Sequence, residues 1–153
     1  MEFTGKKVLV AGMGRSGIAS AEILMNIGAA VDLYDMKESA GQSLSPALFE
    51  GAGTCFFGKD PENVGSYDYL ILSPGISPET GFAKEAREAG VTVLGELELS
   101  WQLSRGTSVA ITGTNGKTTT TALTGEIFRN AGKDTRVVGN IGVAAVADAA
   151  SAS

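Results

Sequence analysis

The stretch Gly113-Thr-Asn-Gly-Lys-Thr-Thr119 carries residue types that handle phosphate. It follows an apolar run and precedes a helical pattern, so its successive backbone N–H groups would wrap a polyphosphate. The Lys117 ammonium would reach the β and γ groups, and the Thr118 hydroxyl would hold Mg²⁺. The loop is shorter than the common G-x-x-x-x-G-K-[ST] form, because Ile111 stands where the first glycine would be. The plain alternative is a solvated lysine at a helix start. Threonines are poor helix formers, so at least the first of the run serves something other than helix stability.

A second phosphate-type turn lies near the N-terminus. In "VLVAGMGRSG", Gly12, Gly14 and Gly17 have G-x-G-x-x-G spacing between a strand pattern and a helix pattern. Glycine permits the tight turn and a close backbone approach, and the helix N-terminus offers free N–H groups and partial positive charge to a pyrophosphate. Asp35 ends the next strand, where an acid commonly takes a ribose hydroxyl. The spacing defines a diphosphate-friendly turn without saying whose diphosphate. A nicotinamide or flavin dinucleotide fits it, and glycines serving only helix–strand packing remain the plain alternative.

Short apolar runs alternate with amphipathic segments, the pattern of parallel α/β units. Strands are predicted over 6–12, 29–35, 54–58, 67–75 and 91–96. Helices are predicted over 15–28, closed by Gly28, and over 77–90, opened by Ser77 with Pro78 at its first position and closed by Gly90. A loop with one short helix fills the segment after residue 35. After a helix over 98–106 the pattern restarts, with a strand over 107–113, a helix over 116–132, a strand over 134–140 and an Ala-rich helical tail. The expected architecture is a Rossmann-like parallel-sheet domain over 1–95, then over 96–153 the truncated start of a P-loop ATPase-type α/β domain.

Composition excludes several classes. Net charge is −5, all of it from residues 1–95, with 7 basic and 12 acidic groups, while residues 96–153 carry five of each. No run of Lys and Arg appears, so nucleic acid is not an expected partner. With no histidine and a single cysteine, Cys55, neither a zinc site nor His-based catalysis can be built from this chain. Cys55 reads as a buried strand residue. No signal-peptide layout and no apolar run of membrane-spanning length appears, so a cytoplasmic protein without a membrane partner is expected.

"TGTNGKTT" (112–119) is similar to the ATP loop of the Mur ligases and their folate-ligating relatives, which use this shortened form. "GMGRSG" (12–17), "SPGI" (73–76), "GELEL" (95–99), "VAITGTNGKTT" (109–119) and "GNIG" (139–142) follow the order of the Mur ligases that add D-glutamate to UDP-N-acetylmuramoyl-L-alanine. The resemblance runs over essentially the whole chain. It implies a Rossmann-like UDP-sugar domain, a central ATP domain and a C-terminal amino-acid domain. ATP would phosphorylate the substrate carboxylate, and the D-glutamate amine would displace phosphate from that acyl phosphate.

The resemblance also assigns residues. Gly113, Thr114, Asn115, Gly116, Lys117, Thr118 and Thr119 are expected to hold ATP, with Mg²⁺ on Thr118. Lys117 and Asn140 are expected at the reacting phosphate and carboxylate. Gly14, Arg15, Ser16, Asp35, Met36, Lys37, Ser73, Gly75 and Asn140 are expected to contact the UDP-sugar. Met36 departs from the small polar residue expected there. Pro74-Gly75 also reads as a turn with φ > 0 at Gly75, Asn140 as a loop cap, and Trp101 as packing at the domain junction. The resemblance further implies that this chain is an N-terminal fragment. It would bind a UDP-sugar without catalysing ligation, as a monomer or, through the unprotected edge of a half-built central sheet, self-associated.

Overall fold

The computed structural model describes residues 2–138 and Val146. Five parallel strands form one sheet: β1 (Lys7–Ala11), β2 (Ala30–Asp35), β3 (Cys55–Phe57), β4 (Tyr69–Leu72) and β5 (Thr92–Gly95), in the spatial order β3-β2-β1-β4-β5. Among the described residues these α-helices accompany them: α1 (Arg15–Asn26), α2 (Pro46–Gly51), α3 (Gly81–Glu88), α4 (Glu96–Leu103) and α5 (Lys117–Asn130). The expected parallel α/β class is the one observed.

β1 is central, and its side chains are buried on both faces, as parallel strands between helical layers require. Val8 and Val10 join Ala21 and Leu24 of α1, Leu48 of α2 and Leu99 of α4 on one side. Leu9 and Ala11 join Phe82, Ala83 and Ala86 of α3 on the other. The strand period of two thus feeds two separate apolar layers.

Helix α1 buries Gly17, Ser20, Ala21 and Leu24, a helical spacing of three and four. It ends where Gly28 takes φ +85°, with the Gly28 and Ala29 N–H groups donating to Met25 and Leu24 carbonyls. That left-handed position closes the helix, and a side chain there would be strained. Leu24 is fully buried, so truncation to alanine is expected to cost about 2–5 kcal/mol.

One acid lies inside this core. Asp32 on β2 is buried and accepts from the Tyr67 hydroxyl at 2.5 Å and the Thr54 N–H at 2.7 Å. Burial, and then the bond to Asp32, push the Tyr67 phenol well above its ordinary value. Cys55, half-buried on β3, is also pushed up, first by burial and then by the Asp32 charge, which suits a structural thiol.

Several expectations fail for physical reasons. Residues 107–113 form no strand: a strand needs a ladder partner, and no described segment supplies one. Residues 134–138 likewise pair with nothing, and the rest of that expected strand, with the tail helix other than Val146, lies outside the described residues. Helix α3 starts at Gly81 rather than Ser77. The Ser77 hydroxyl accepts from Glu79 N–H in a local turn, leaving Thr80 at the cap position. Trp101 is 71 % exposed, because the inward face of α4 is taken by Leu99 and Ser100.

Candidate functional site

The strand order reverses at β1: the chain leaves it toward β2 and β3, then returns on its other side with β4 and β5. Open α/β sheets bind ligands outside the carboxyl ends of the strands at such a switch point. A cleft of about 610 Å³ lies there, walled by Ser16 of α1, the Ser73–Pro74 turn after β4, and Gly95 to Glu98 after β5.

Glycine geometry builds the turn after β1. Gly12 has φ +93°, which only glycine adopts without strain, and a Cβ there would approach the Ser73 Cβ to 2.9 Å. At Gly17 a Cβ would fall 1.7 Å from the Gly12 carbonyl oxygen, so α1 can approach β1 this closely only with glycine. Around Gly14 there is open space, with no atom within 4 Å of where a Cβ would stand. Gly14 is the cap residue of α1, no side chain caps the helix, and its first turn holds no acid. The start of α1 therefore presents the positive end of the helix, with neither a side-chain cap nor an acid against it.

Two side chains fix this turn. The Ser73 hydroxyl, buried, donates to the Gly12 carbonyl at 2.8 Å. Asp35, at the end of β2, accepts from the Met13 N–H at 2.7 Å and the Lys37 N–H at 2.8 Å. Its carboxylate ties the turn after β1 to the turn after β2, a role the sequence reading missed in looking only for a ribose contact. Met36 and Lys37 follow it on the exposed rim. Gly75 is not in the left-handed region. The Ile76 N–H donates to the Ser73 carbonyl at 2.9 Å, closing a four-residue turn that needs no positive φ. Gly14, Arg15, Ser16, Ser73 and Gly75 thus flank the switch point, with Asp35, Met36 and Lys37 beside it at the end of the neighbouring strand.

The second phosphate loop stands apart. Gly116, at φ +75°, precedes α5, whose N-terminus has neither a side-chain cap nor an acid in its first turn. The Lys117 ammonium folds back on the loop, donating to the carbonyls of Gly113 and Thr114. Thr121 and Thr124 return their hydroxyls to the Lys117 and Thr120 carbonyls of their own helix. Thr118 and Thr119 do not, and both are exposed. Uncapped amides, a lysine and a hydroxyl at the helix start fit a magnesium-bound triphosphate. Among the described residues no hydrogen bond or ion pair joins residues 112–119 to the sheet. Asn140 lies outside the described residues.

Fold and site together define a Rossmann-like α/β unit with its glycine turn at the switch point, followed by a second glycine-lysine loop at a helix start. Residues 6–95 match the family described as Mur ligase MurD-like, N-terminal domain, and residues 111–152 match the Mur ligase middle domain. The chain belongs to the MurD-like Mur ligases. It is 45% identical over 147 residues to the UDP-N-acetylmuramoylalanine–D-glutamate ligase of Alkaliphilus metalliredigens, covering 94% of this chain and 32% of that protein. To the ligase of the same name from Caldanaerobacter subterraneus it is 46% identical over 144 residues, covering 93% and 32%. The chain therefore spans about a third of the length of these curated relatives. In fold it is similar to a pseudomurein peptide ligase type C from Methanothermus fervidus, with TM-score 0.54 at 23% identity over 83% of this chain and 26% of that one.

Proposed function

We propose that the switch-point cleft holds a UDP-sugar, UDP-N-acetylmuramoyl-L-alanine, as the substrate site of an ATP-dependent, ADP-forming ligase that adds D-glutamate. The observation that carries this reading is the uncapped start of α1 at the strand switch point, whose Ser16 lines the cleft together with Ser73. Its amides suit the diphosphate, with Arg15 and Ser16 beside it and Gly75 on the facing turn. Asp35, Met36 and Lys37 lie where the nucleoside end would rest. Two relatives about 45% identical carry the name of that ligase.

The division in sequence is placed at 95/96, in keeping with family matches that end at 95 and resume at 111. In the second part Gly113, Thr114, Asn115, Gly116, Lys117, Thr118 and Thr119 take Mg-ATP, with Mg²⁺ on the Thr118 hydroxyl. Mg-ATP would supply the phosphoryl group of an acyl phosphate. Lys117 would leave the loop carbonyls to offset the negative charge of the transferring phosphoryl group. Asn140 is assigned to the carboxylate end of the sugar-peptide. The reaction belongs to peptidoglycan precursor synthesis, in the cytoplasm. These 153 residues bind without turning over, as a monomer.

Titration calorimetry with UDP-N-acetylmuramoyl-L-alanine tests the reading, with NADH and Mg-ATP as parallel ligands. Saturable binding of the UDP-sugar without NADH binding is expected. Binding of NADH instead would make the glycine turn a dinucleotide site and remove the ligase assignment. D-Glutamate-dependent ADP release by this chain would overturn the statement that it does not turn over.

A further inference from the structure

The cleft that Ser16 lines is also lined by a carboxylate with one oxygen that nothing satisfies. Glu96, the first residue of α4, lines the cleft, yet its Oε1 is shut off from solvent and has no hydrogen-bond partner among the described residues. The donors around it are committed elsewhere. Arg87, on the same cleft, donates to the Pro78 carbonyl at 2.8 Å and pairs with Glu79. Ser100 donates to the backbone carbonyl of Glu96 and not to its carboxylate, at 2.7 Å. The Gly95 N–H is taken by the Glu98 carboxylate, three residues on.

A sheltered carboxylate oxygen without a donor is a standing cost in a folded protein, and such atoms are rare. It is relieved when a ligand brings a hydroxyl or N–H. A second phosphate cannot be that ligand, because like charges repel. The group facing Glu96 must be a hydrogen-bond donor without negative charge, and the parts of a nucleotide-sugar beyond its diphosphate offer hydroxyl and amide N–H groups.

We propose that Glu96 accepts a hydrogen bond from the sugar or its amide-bearing substituents, beyond the diphosphate of the bound nucleotide-sugar. This rests on the nucleotide-sugar reading of the cleft and deepens it. The diphosphate sits at the start of α1, and whatever extends from it along the cleft past Ser73 and Pro74 reaches the β5–α4 junction. Glu96 thereby separates nucleotide-sugars from bare nucleotides, which the glycine turn alone cannot do.

Calorimetric titration of the full chain with UDP and with UDP-N-acetylmuramoyl-L-alanine, for wild type, Glu96→Ala and Glu96→Gln, tests this. Wild type is expected to bind the nucleotide-sugar more tightly than UDP. Glu96→Ala is expected to weaken the nucleotide-sugar roughly tenfold or more, the effect of losing a hydrogen bond to a charged group, with UDP binding unchanged. Glu96→Gln, which keeps a carbonyl acceptor, is expected to lose less. The thermal midpoint of both variants is expected to lie close to wild type, because loss of a first-turn charge on α4 and relief of the unsatisfied oxygen oppose one another. Should Glu96→Ala unfold, Glu96→Gln decides by the same comparison. Equal weakening of UDP and nucleotide-sugar, or no change in either, overturns the role of Glu96 and leaves the UDP-sugar site standing. Failure of wild type to bind either ligand removes both.

Discussion

The Ser73 hydroxyl and the Gly12 carbonyl oxygen, 2.8 Å apart and buried, join the turns that follow β4 and β1 across the switch point. Replacing Ser73 with alanine leaves the Gly12 oxygen without this donor. A loss of about 1–2 kcal/mol in denaturant-unfolding free energy is expected, with a several-fold weaker UDP-sugar in calorimetry. Unchanged affinity would mean that the turn holds its shape unaided.

The three glycines of the first turn are expected to respond unequally. Gly17→Ala drives a methyl into the Gly12 backbone and should cost about 3 kcal/mol or more, seen as a large drop in thermal midpoint. Gly14→Ala meets no atom within 4 Å and should leave stability within about 0.5–1 kcal/mol of wild type. Its penalty should appear in binding, because the added methyl stands where the diphosphate approaches.

Asp35→Ala strips the acceptor from two backbone amides in different turns. A stability loss of about 1–3 kcal/mol is expected. The distinguishing readout is amide hydrogen exchange: Met13 and Lys37 should both exchange faster, while amides within β4 do not change. Acceleration at only one of them would show that the carboxylate does not couple the turns.

Tyr67 ties stability to alkaline pH. Its folded-state value lies above the ordinary 10.0 because burial and Asp32 favour the neutral phenol. The stability it contributes is complete below about pH 10, the unfolded value, and is lost as pH rises toward the folded one. Unfolding free energy should therefore fall above about pH 10. Tyr67→Phe should remove that group's share of the slope, and at pH 7 cost about 1–3 kcal/mol by leaving Asp32 one donor short. An unchanged slope would show that other groups govern the alkaline limb.

Lys117→Ala is expected to leave the thermal midpoint and UDP-sugar affinity unchanged, since Lys117 is exposed and bonds only its own loop. Any Mg-ATP affinity should disappear. An equal loss of UDP-sugar binding would mean that the two phosphate sites are not independent.

The legibility of the sequence follows how local each signal is. β1, α1 and β2 were readable because apolar runs, helical spacing and the glycine turn all lie within residues 7–35. The expected strand over 107–113 had an equally good apolar pattern, but pattern supplies only one side of a ladder. Ser77-Pro78 carries a helix-start signature, yet its hydroxyl closes a local turn and the helix waits until Gly81. Pro74-Gly75 is compatible with turns of either φ sign. The clamping role of Asp35 depends on Met13 lying beside it in space, and the unmet oxygen of Glu96 on where neighbouring donors point. No spacing rule encodes either.

β5 passes into α4 without an intervening residue, Gly95 meeting Glu96, and Glu98 locks that joint by accepting the Gly95 N–H. Leu99 anchors the helix beneath, fully buried against the first sheet layer. α4 is therefore a rigid bracket on the cleft, although in sequence it opens the second part of the chain. The first irregular segment downstream is Ser104-Arg105-Gly106. The Glu96 wall is thus held by packing on the first sheet, so its position is set before the chain reaches the loop at 112–119.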